Sequence, residues 1–177
     1  MGASISSKSI NRQLATYAAS FLRDVNYKVH DLSDYQCQMY SPQEQEKSEF
    51  PETITKLDAE IKMADGFIIS FAENNYSYTA AYKNSIDWVT RLYVDKLDQL
   101  FEHKPCLFLS ASPSNYGGAA VMENVLKFYP IFGAKIIGHM SLPRAHENLV
   151  DGKVVNKKYR DELEALVKQF EEAVKQT

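Results

Sequence analysis

Two uninterrupted apolar runs, Gly66-Phe67-Ile68-Ile69-Ser70-Phe71 and Pro105-Cys106-Leu107-Phe108-Leu109-Ser110, constrain the fold of this chain more than any other feature. A strand with one wet face alternates apolar and polar residues. A strand that is apolar at nearly every position is buried on both faces, as in a parallel sheet covered by helices on either side. Each run leads into a polar loop and then a helical pattern. Residues 79–92 carry Ile86, Trp88, Val89 and Leu92 on one face, and the later helix carries Val121, Val125, Leu126 and Phe128.

The same alternation extends in both directions. Ser9 to Arg23 reads as a helix through Leu14, Ala15, Ala18, Phe21 and Leu22, with Ser9 as its N-cap, and Tyr27 to Leu32 reads as a short strand. Residues 33–50 are polar, lack a period and read as a loop ending at Pro51; a helix through Ile54, Leu57, Ile61 and Met63 follows. Lys135 to Met140 is a further strand, and Lys157 to Val174 an amphipathic helix. Strands alternating with helices of this length predict an α/β, doubly wound, mostly parallel sheet. At 177 residues the expectation is one domain spanning 1–177.

Composition narrows the function classes. A net charge of −3 without a Lys/Arg cluster argues against nucleic acid as a partner. The two cysteines, Cys37 and Cys106, and four histidines show no metal-ligand spacing, so no metal is expected. No apolar run reaches the ~18–20 residues needed to cross a bilayer, and no signal peptide is visible, so no membrane partner is expected and the cytoplasm is the expected compartment. No Ser/His/Asp set can be assembled from spacing.

In doubly wound sheets, ligands bind beyond the carboxyl ends of strands. Three loops occupy such positions, 3–9, 72–78 and 111–118, and all are rich in Ser, Asn or Gly. In the first, Ser4, Ser6, Ser7 and Ser9 precede a helix whose free amides and dipole suit a phosphate monoester; Ser-based capping explains the same residues. It is not a Walker loop, and no G-x-G-x-x-G exists in the chain. In the second, Glu73, Asn74, Asn75, Tyr76, Ser77 and Tyr78 combine amides with aromatic surface, the alternative being a polar turn. Glu73 reads as a local hydrogen-bond acceptor rather than a catalytic base. In the third, Ser112, Asn115 and Tyr116 precede Gly117-Gly118, a pair that lets backbone approach a flat ligand or simply makes a tight turn.

Together these loops resemble the NADPH-dependent FMN reductase family of flavodoxin-like quinone, azo-dye and chromate reductases. The likeness is carried by Ala3-Ser4, Ser9, Asn11-Arg12, by Ala64-Asp65-Gly66 leading to Glu73, Asn75-Tyr76-Ser77, by Lys83-Asn84-Ser85-Ile86-Asp87-Trp88, and by Ser112-Pro113 with Gly117-Gly118. The resemblance implies a flavodoxin-like three-layer sandwich, with FMN as cofactor and NAD(P)H as co-substrate. It places Ser4, Ser9, Ile10 and Asn11 around the FMN phosphate, and Glu73, Asn75, Tyr76 and Ser77 along the flavin ring. Ser112, Gly117 and Gly118 fall near its pyrimidine side. The implied activity is electron transfer from reduced nicotinamide through FMN to quinone-like or other small acceptors. No catalytic protein residue is expected, because the flavin N5 carries the chemistry. A flavodoxin-like electron carrier and a cofactor-free binding protein are the alternatives. A homodimer or homotetramer is expected, with Trp88, Tyr93 and Phe101 as interface candidates or as plain core.

Three departures stand out. Ala3 replaces the family's usual Gly, Ser6 stands where an Arg often pairs with phosphate, and Ala72-Glu73-Asn74-Asn75 replaces Pro-Glu-Tyr-Asn. The resemblance also implies an apolar first strand ahead of the serine loop, where only Met1 and Gly2 stand, so the usual first strand is expected to be absent. The favoured expectation is that this strand lies upstream of Met1. Repair of the sheet by rearrangement or by a partner chain is the alternative, as is a relative that binds no cofactor.

Overall fold

The computed structural model describes residues 1–47 and 50–177. Along the chain, β1 (Gly2–Ala3) leads through the serine loop to α1 (Ile10–Ala19). After α2 (Pro42–Lys47) and α3 (Glu52–Met63) come β2 (Phe67–Phe71) and a small hairpin of β3 (Glu73–Asn74) and β4 (Ser77–Tyr78). Then follow α4 (Ala80–Val89), β5 (Pro105–Ala111), α5 (Ala119–Phe128) and β6 (Lys135–Leu142). The chain closes with α6 (Ala145–Asn148), a hairpin of β7 (Leu149–Val150) and β8 (Lys153–Val154), and α7 (Lys157–Val174).

The central sheet has the order β1-β2-β5-β6, and every neighbouring pair is parallel. β2 and β5 pair in register from Phe67 opposite Cys106 to Phe71 opposite Ser110. The two apolar runs are therefore adjacent central strands. Strand alternation sends Cys106 and Phe108 into one core, with Phe71, Trp88 and Tyr129, and sends Leu107, Leu109 and Ala111 into a second core with Leu14, Val167 and Phe170. Each face of the sheet is thus covered by helices. That is the physical reason these strands lack polar alternation.

The ends of several elements differ from the sequence-based expectations. Where the usual first strand would run, only a two-residue stub stands in the sheet: Gly2 opposes Ser70 and Ala3 opposes Phe71. Residues 27–32 do not form the expected strand. One parallel bridge, Gly2 to Asp31, ties this segment to the sheet, and Leu32–Tyr35 turn as a 3-10 helix. Lacking a full-length neighbour to pair with, residues 27–30 have no ladder to join. The expected loop 33–50 contains that turn and the exposed helix α2; Ser48 and Glu49 lie outside the described residues. α1 stops at Ala19 rather than Arg23, and α4 ends at Val89 before continuing as a 3-10 turn through Tyr93. Both cysteines are free thiols, and burial pushes the Cys106 thiol pKa up.

Candidate functional site

The carboxyl ends of β1, β2 and β5 bring the three polar loops to one edge of the sheet, as register requires. Gly2 is what lets α1 lie close over β1, since a Cβ there would stand 2.4 Å from the Arg12 backbone. Within the loop, the Ser6 amide donates to Ser4 Oγ (3.2 Å) and the Lys8 amide to Ser6 Oγ (3.3 Å), two short side-chain turns that curl the backbone. Ser9 caps α1, its Oγ accepting from the Arg12 amide at 3.1 Å. The amides of Ile10 and Asn11 in the first turn carry no partner among the described residues. They point where the helix dipole favours an anion.

Two side chains in this region are spent on structure. Asn11 is 2% exposed. Its Oδ1 accepts from the Ala111 amide (2.8 Å) and the Ser70 hydroxyl (2.7 Å), while its Nδ2 donates to the Ala111 carbonyl (3.0 Å). It therefore ties α1 to the ends of β2 and β5, and only its backbone amide is available to a ligand. The Arg12 guanidinium donates to the Ser7 carbonyl and pairs with Asp31. It fastens the serine loop to the residue that bridges Gly2. Sequence reading did not single out Arg12 as a site residue, because its partners are 5 and 19 positions away and no spacing rule links them.

The second loop is the β3–β4 hairpin. Asn75 (φ 49) and Tyr76 (φ 64) occupy its two turn positions, both left-handed, the geometry of the tight turn that matches strand twist. Glu73 Oε2 accepts from the Val121 amide at 2.9 Å and so caps the start of α5. Asn124 Nδ2 donates to the Tyr76 carbonyl at 3.1 Å. The hairpin is thus held against α5, with the Asn74 and Tyr76 side chains left exposed and Ser77 partly covered. At its far end, Thr79 caps α4 and its hydroxyl donates to the Ala3 carbonyl at 3.0 Å, joining the second loop to the first.

The third loop is built around its two glycines. Gly117 (φ 62) and Gly118 (φ 84) both take left-handed backbone, and a Cβ on Gly118 would fall 1.9 Å from Ser110 Oγ. That hydroxyl donates to the Phe71 carbonyl at 2.7 Å, linking the ends of β2 and β5 directly beneath the loops. The Ser112 and Ser114 hydroxyls bond each other at 2.8 Å. Tyr116 is 76% exposed and Tyr76 80%, two bare rings on the loops that flank the strand ends.

The structure thus places Ser4, Ser6, Ser9 and Ile10 on one loop, Glu73 to Ser77 on the second, and Ser112, Asn115, Gly117 and Gly118 on the third. Free helix amides, exposed aromatic surface and glycine backbone at one sheet edge fit a ligand with a phosphate and a flat ring system, so the residues present suit FMN. The proposed interface residues divide differently. Trp88 and Phe101 are core, 0% and 2% exposed, and the Tyr93 hydroxyl donates to Asp58.

Comparison with known proteins bears on the family and the fold. The chain is 31% identical over 116 residues to a quinone reductase of Escherichia coli K12, covering 66% of this chain and 58% of that protein. It therefore spans less than two thirds of the length of that relative. Among solved structures it is similar to FerB, a flavoenzyme NAD(P)H:(acceptor) oxidoreductase from Paracoccus denitrificans. The TM-score is 0.76 at 24% identity, over 99% of this chain and 95% of that one. It is also similar to an NAD(P)H:quinone oxidoreductase from Methanothermobacter marburgensis, with a TM-score of 0.59 at 14% identity over 98% and 92%. These likenesses show a flavodoxin-like α/β fold. A family model for NADPH-dependent FMN reductase matches residues 2–148, a span that contains all three loops, and the chain belongs to that family.

Proposed function

We propose that this chain is an FMN-dependent NAD(P)H oxidoreductase that delivers electrons to quinone-like or other small acceptors. The observation that carries the reading is the convergence of the three loops on one sheet edge, beside first-turn amides of α1 that have no partner among the described residues. The quinone reductase relative supports the acceptor class. In this reading the Ile10 and Asn11 amides, with the Ser4, Ser6 and Ser9 loop, hold the FMN phosphate. The hairpin residues Glu73, Asn74, Asn75, Tyr76 and Ser77 lie along one side of the flavin, and Ser112, Asn115, Gly117 and Gly118 along its pyrimidine side. FMN supplies the hydride-accepting N5 and the electron relay. The chain's own residues bind and orient. Glu73 is committed to the Val121 amide, which leaves proton transfer to the ring and solvent.

Purified protein tests the reading directly. Retention of a flavin absorption band after loading and gel filtration, followed by anaerobic bleaching with NADPH and reoxidation by a quinone, is the expected result. A flavin that binds but is not reduced by NADPH or NADH would indicate an electron carrier, and a chain that refuses FMN would refute both flavin roles.

We further infer a cytoplasmic protein that works as a homodimer or homotetramer. The free thiols are in keeping with a reducing compartment. Phe128 (41% exposed), Ile131 (54%), Leu92 (37%) and Val94 (60%) leave apolar surface uncovered. Among the described residues no helix is long and apolar enough to cross a membrane. Light scattering coupled to gel filtration reads the mass; a monomer at micromolar concentration would overturn the oligomer.

A further inference from the structure

The serine loop is held from behind by one ion pair. Arg12 stands in the first turn of α1, just past the Ser9 cap. A cation at that end opposes the helix dipole, so its place there calls for a partner. The guanidinium has two. One nitrogen pairs with the Asp31 carboxylate, and Nη2 donates to the Ser7 carbonyl at 2.6 Å. This fork reaches in one direction to the loop and in the other to the segment beside β1.

The far end of the brace is firm. Asp31 Oδ1 accepts from the Ser33 amide at 3.0 Å while Oδ2 takes Arg12, and the turn that follows is pinned by Leu32 and Tyr35, 1% and 2% exposed. Asp31 also bridges Gly2 in parallel, and a Cβ on Gly2 would collide with the Arg12 backbone. The end of β1, the first turn of α1 and Asp31 therefore pack as one unit, and the Ser7 carbonyl is tied to it.

The near end decides which groups the loop presents. The amides of Ser4, Ser6, Lys8 and Ser9 are spent within the loop, on the Gly2 carbonyl, Ser4 Oγ, Ser6 Oγ and the Ser6 carbonyl. Those of Ile5, Ser7, Ile10 and Asn11 have no partner among the described residues. A peptide unit is planar, so holding the Ser7 carbonyl also holds the Lys8 amide on its bond to Ser6 Oγ. Released, that unit is free to rotate and to set a carbonyl oxygen against an anion that backbone amides would otherwise receive.

We propose that the Arg12–Asp31 pair is a positioning brace for the FMN phosphate. It acts through the Ser7 carbonyl and keeps the serine loop in its amide-presenting shape, with neither side chain touching the ligand. The inference rests on the FMN reading of the site. In a loop that carries Ser6 where an Arg often stands, the cation works from behind, neutralised by Asp31, instead of facing the phosphate.

Equilibrium titration of FMN and of riboflavin tests this in the unsubstituted chain, Arg12→Gln, Arg12→Lys, Asp31→Asn and the double variant Arg12→Gln/Asp31→Asn. Asp31→Asn keeps an acceptor for the Ser33 amide, so the turn survives and this variant carries the test even where Arg12→Gln fails to fold. Each single substitution should weaken FMN by at least about tenfold while riboflavin changes by less than about twofold. Arg12→Lys is included in that expectation because a point charge cannot serve both partners of the fork. The double variant should be no weaker than Arg12→Gln, since the two residues act as one device. Inorganic phosphate, added without flavin, should raise the Tm of the unsubstituted chain more than that of any variant. Were Arg12 itself a phosphate contact, Asp31→Asn would release it; unchanged or tighter FMN binding in that variant would overturn the proposal. Equal weakening of FMN and riboflavin would overturn it too, reducing the pair to a fold contact, as would full affinity in Arg12→Lys. Those outcomes leave the flavin reading standing. An unsubstituted chain that binds neither flavin nor phosphate refutes that reading and this inference with it.

Discussion

Individual residues at the sheet edge divide into those that shape the site and those that face a ligand. Asn11 shapes it: its side-chain oxygen accepts two hydrogen bonds and its nitrogen donates one inside the protein. Asn11→Ala strands the buried Ala111 amide and the Ser70 hydroxyl, and should lower stability in urea denaturation by about 3 kcal/mol, the scale of two or more unsatisfied buried groups. Gly118 shapes it too. Gly118→Ala adds a left-handed backbone penalty of about 1–2 kcal/mol to a collision with Ser110 Oγ. The loop must shift, and FMN titration should show at least a tenfold weaker Kd, with β5 itself still formed by circular dichroism. Glu73 offers a discriminating pair. Glu73→Ala loses the bond to the Val121 amide and should cost about 1 kcal/mol, whereas Glu73→Gln keeps an acceptor and should retain most of it. Neither substitution should move the pH profile of turnover, because the carboxylate is used as a cap and not as a base.

At the scale of elements, the weak point is where β1 meets β2 and residues 27–31. Burial lowers the Met1 amine pKa from 8.0 to about 5. His30, whose Nδ1 meets the Tyr35 hydroxyl at 2.6 Å, is also held below its ordinary value, chiefly by burial and against the pull of Glu60. Both groups act with the same sign. The unfolded chain takes up a proton on each at a pH where the folded chain does not, so stability falls as pH drops. For Met1 the loss runs from about pH 8 down to about 5, and for His30 it begins near 6.5. Melting followed across this range should show Tm declining toward acid. Acetylation of the Met1 amine should remove its whole contribution, leaving melting flat above about pH 6.5 and only the histidine portion below it. Unchanged melting between pH 8 and 6.5 would show that the amine escapes to solvent, and unchanged melting below 6.5 that His30 does too.

Across the whole molecule, the two apolar cores meet through the sheet and the ligand edge sits above both. A ligand gripped by loops from β1, β2 and β5 engages the folded chain only, so FMN at one hundred times its Kd should raise stability by about 2.7 kcal/mol. Differential scanning should register that as a concentration-dependent Tm. Riboflavin, lacking the phosphate, should give markedly less, because in the proposed binding mode it forgoes the α1 amides and the serine loop.

Much of this architecture was legible in the linear chain because burial writes itself into residue type. The runs at 66–71 and 105–110 had to be central parallel strands, since no half-exposed strand is apolar throughout. Ser9 as a cap, the Gly117-Gly118 turn and the three polar loops at strand ends followed from local chemistry, and their order along the chain carried the family. What the chain could not show were relations between distant residues. Asn11 reads as a ligand contact until Ala111, one hundred positions away, is seen to claim its side chain. Glu73 reads as a local hydrogen-bond acceptor, but its donor is the Val121 amide, which is 48 positions away and which no local pattern could name. Tyr27 to Leu32 has the composition of a strand, yet a strand exists only with a neighbour, and the place beside it is a cavity. The sequence by itself determined which residues must be buried and which loops carry polar groups, because those depend on local pattern. Only the tertiary structure decided which polar groups remain free for a ligand and where the sheet stands open, because hydrogen-bond partners and strand neighbours are supplied by parts of the chain that no local pattern can locate.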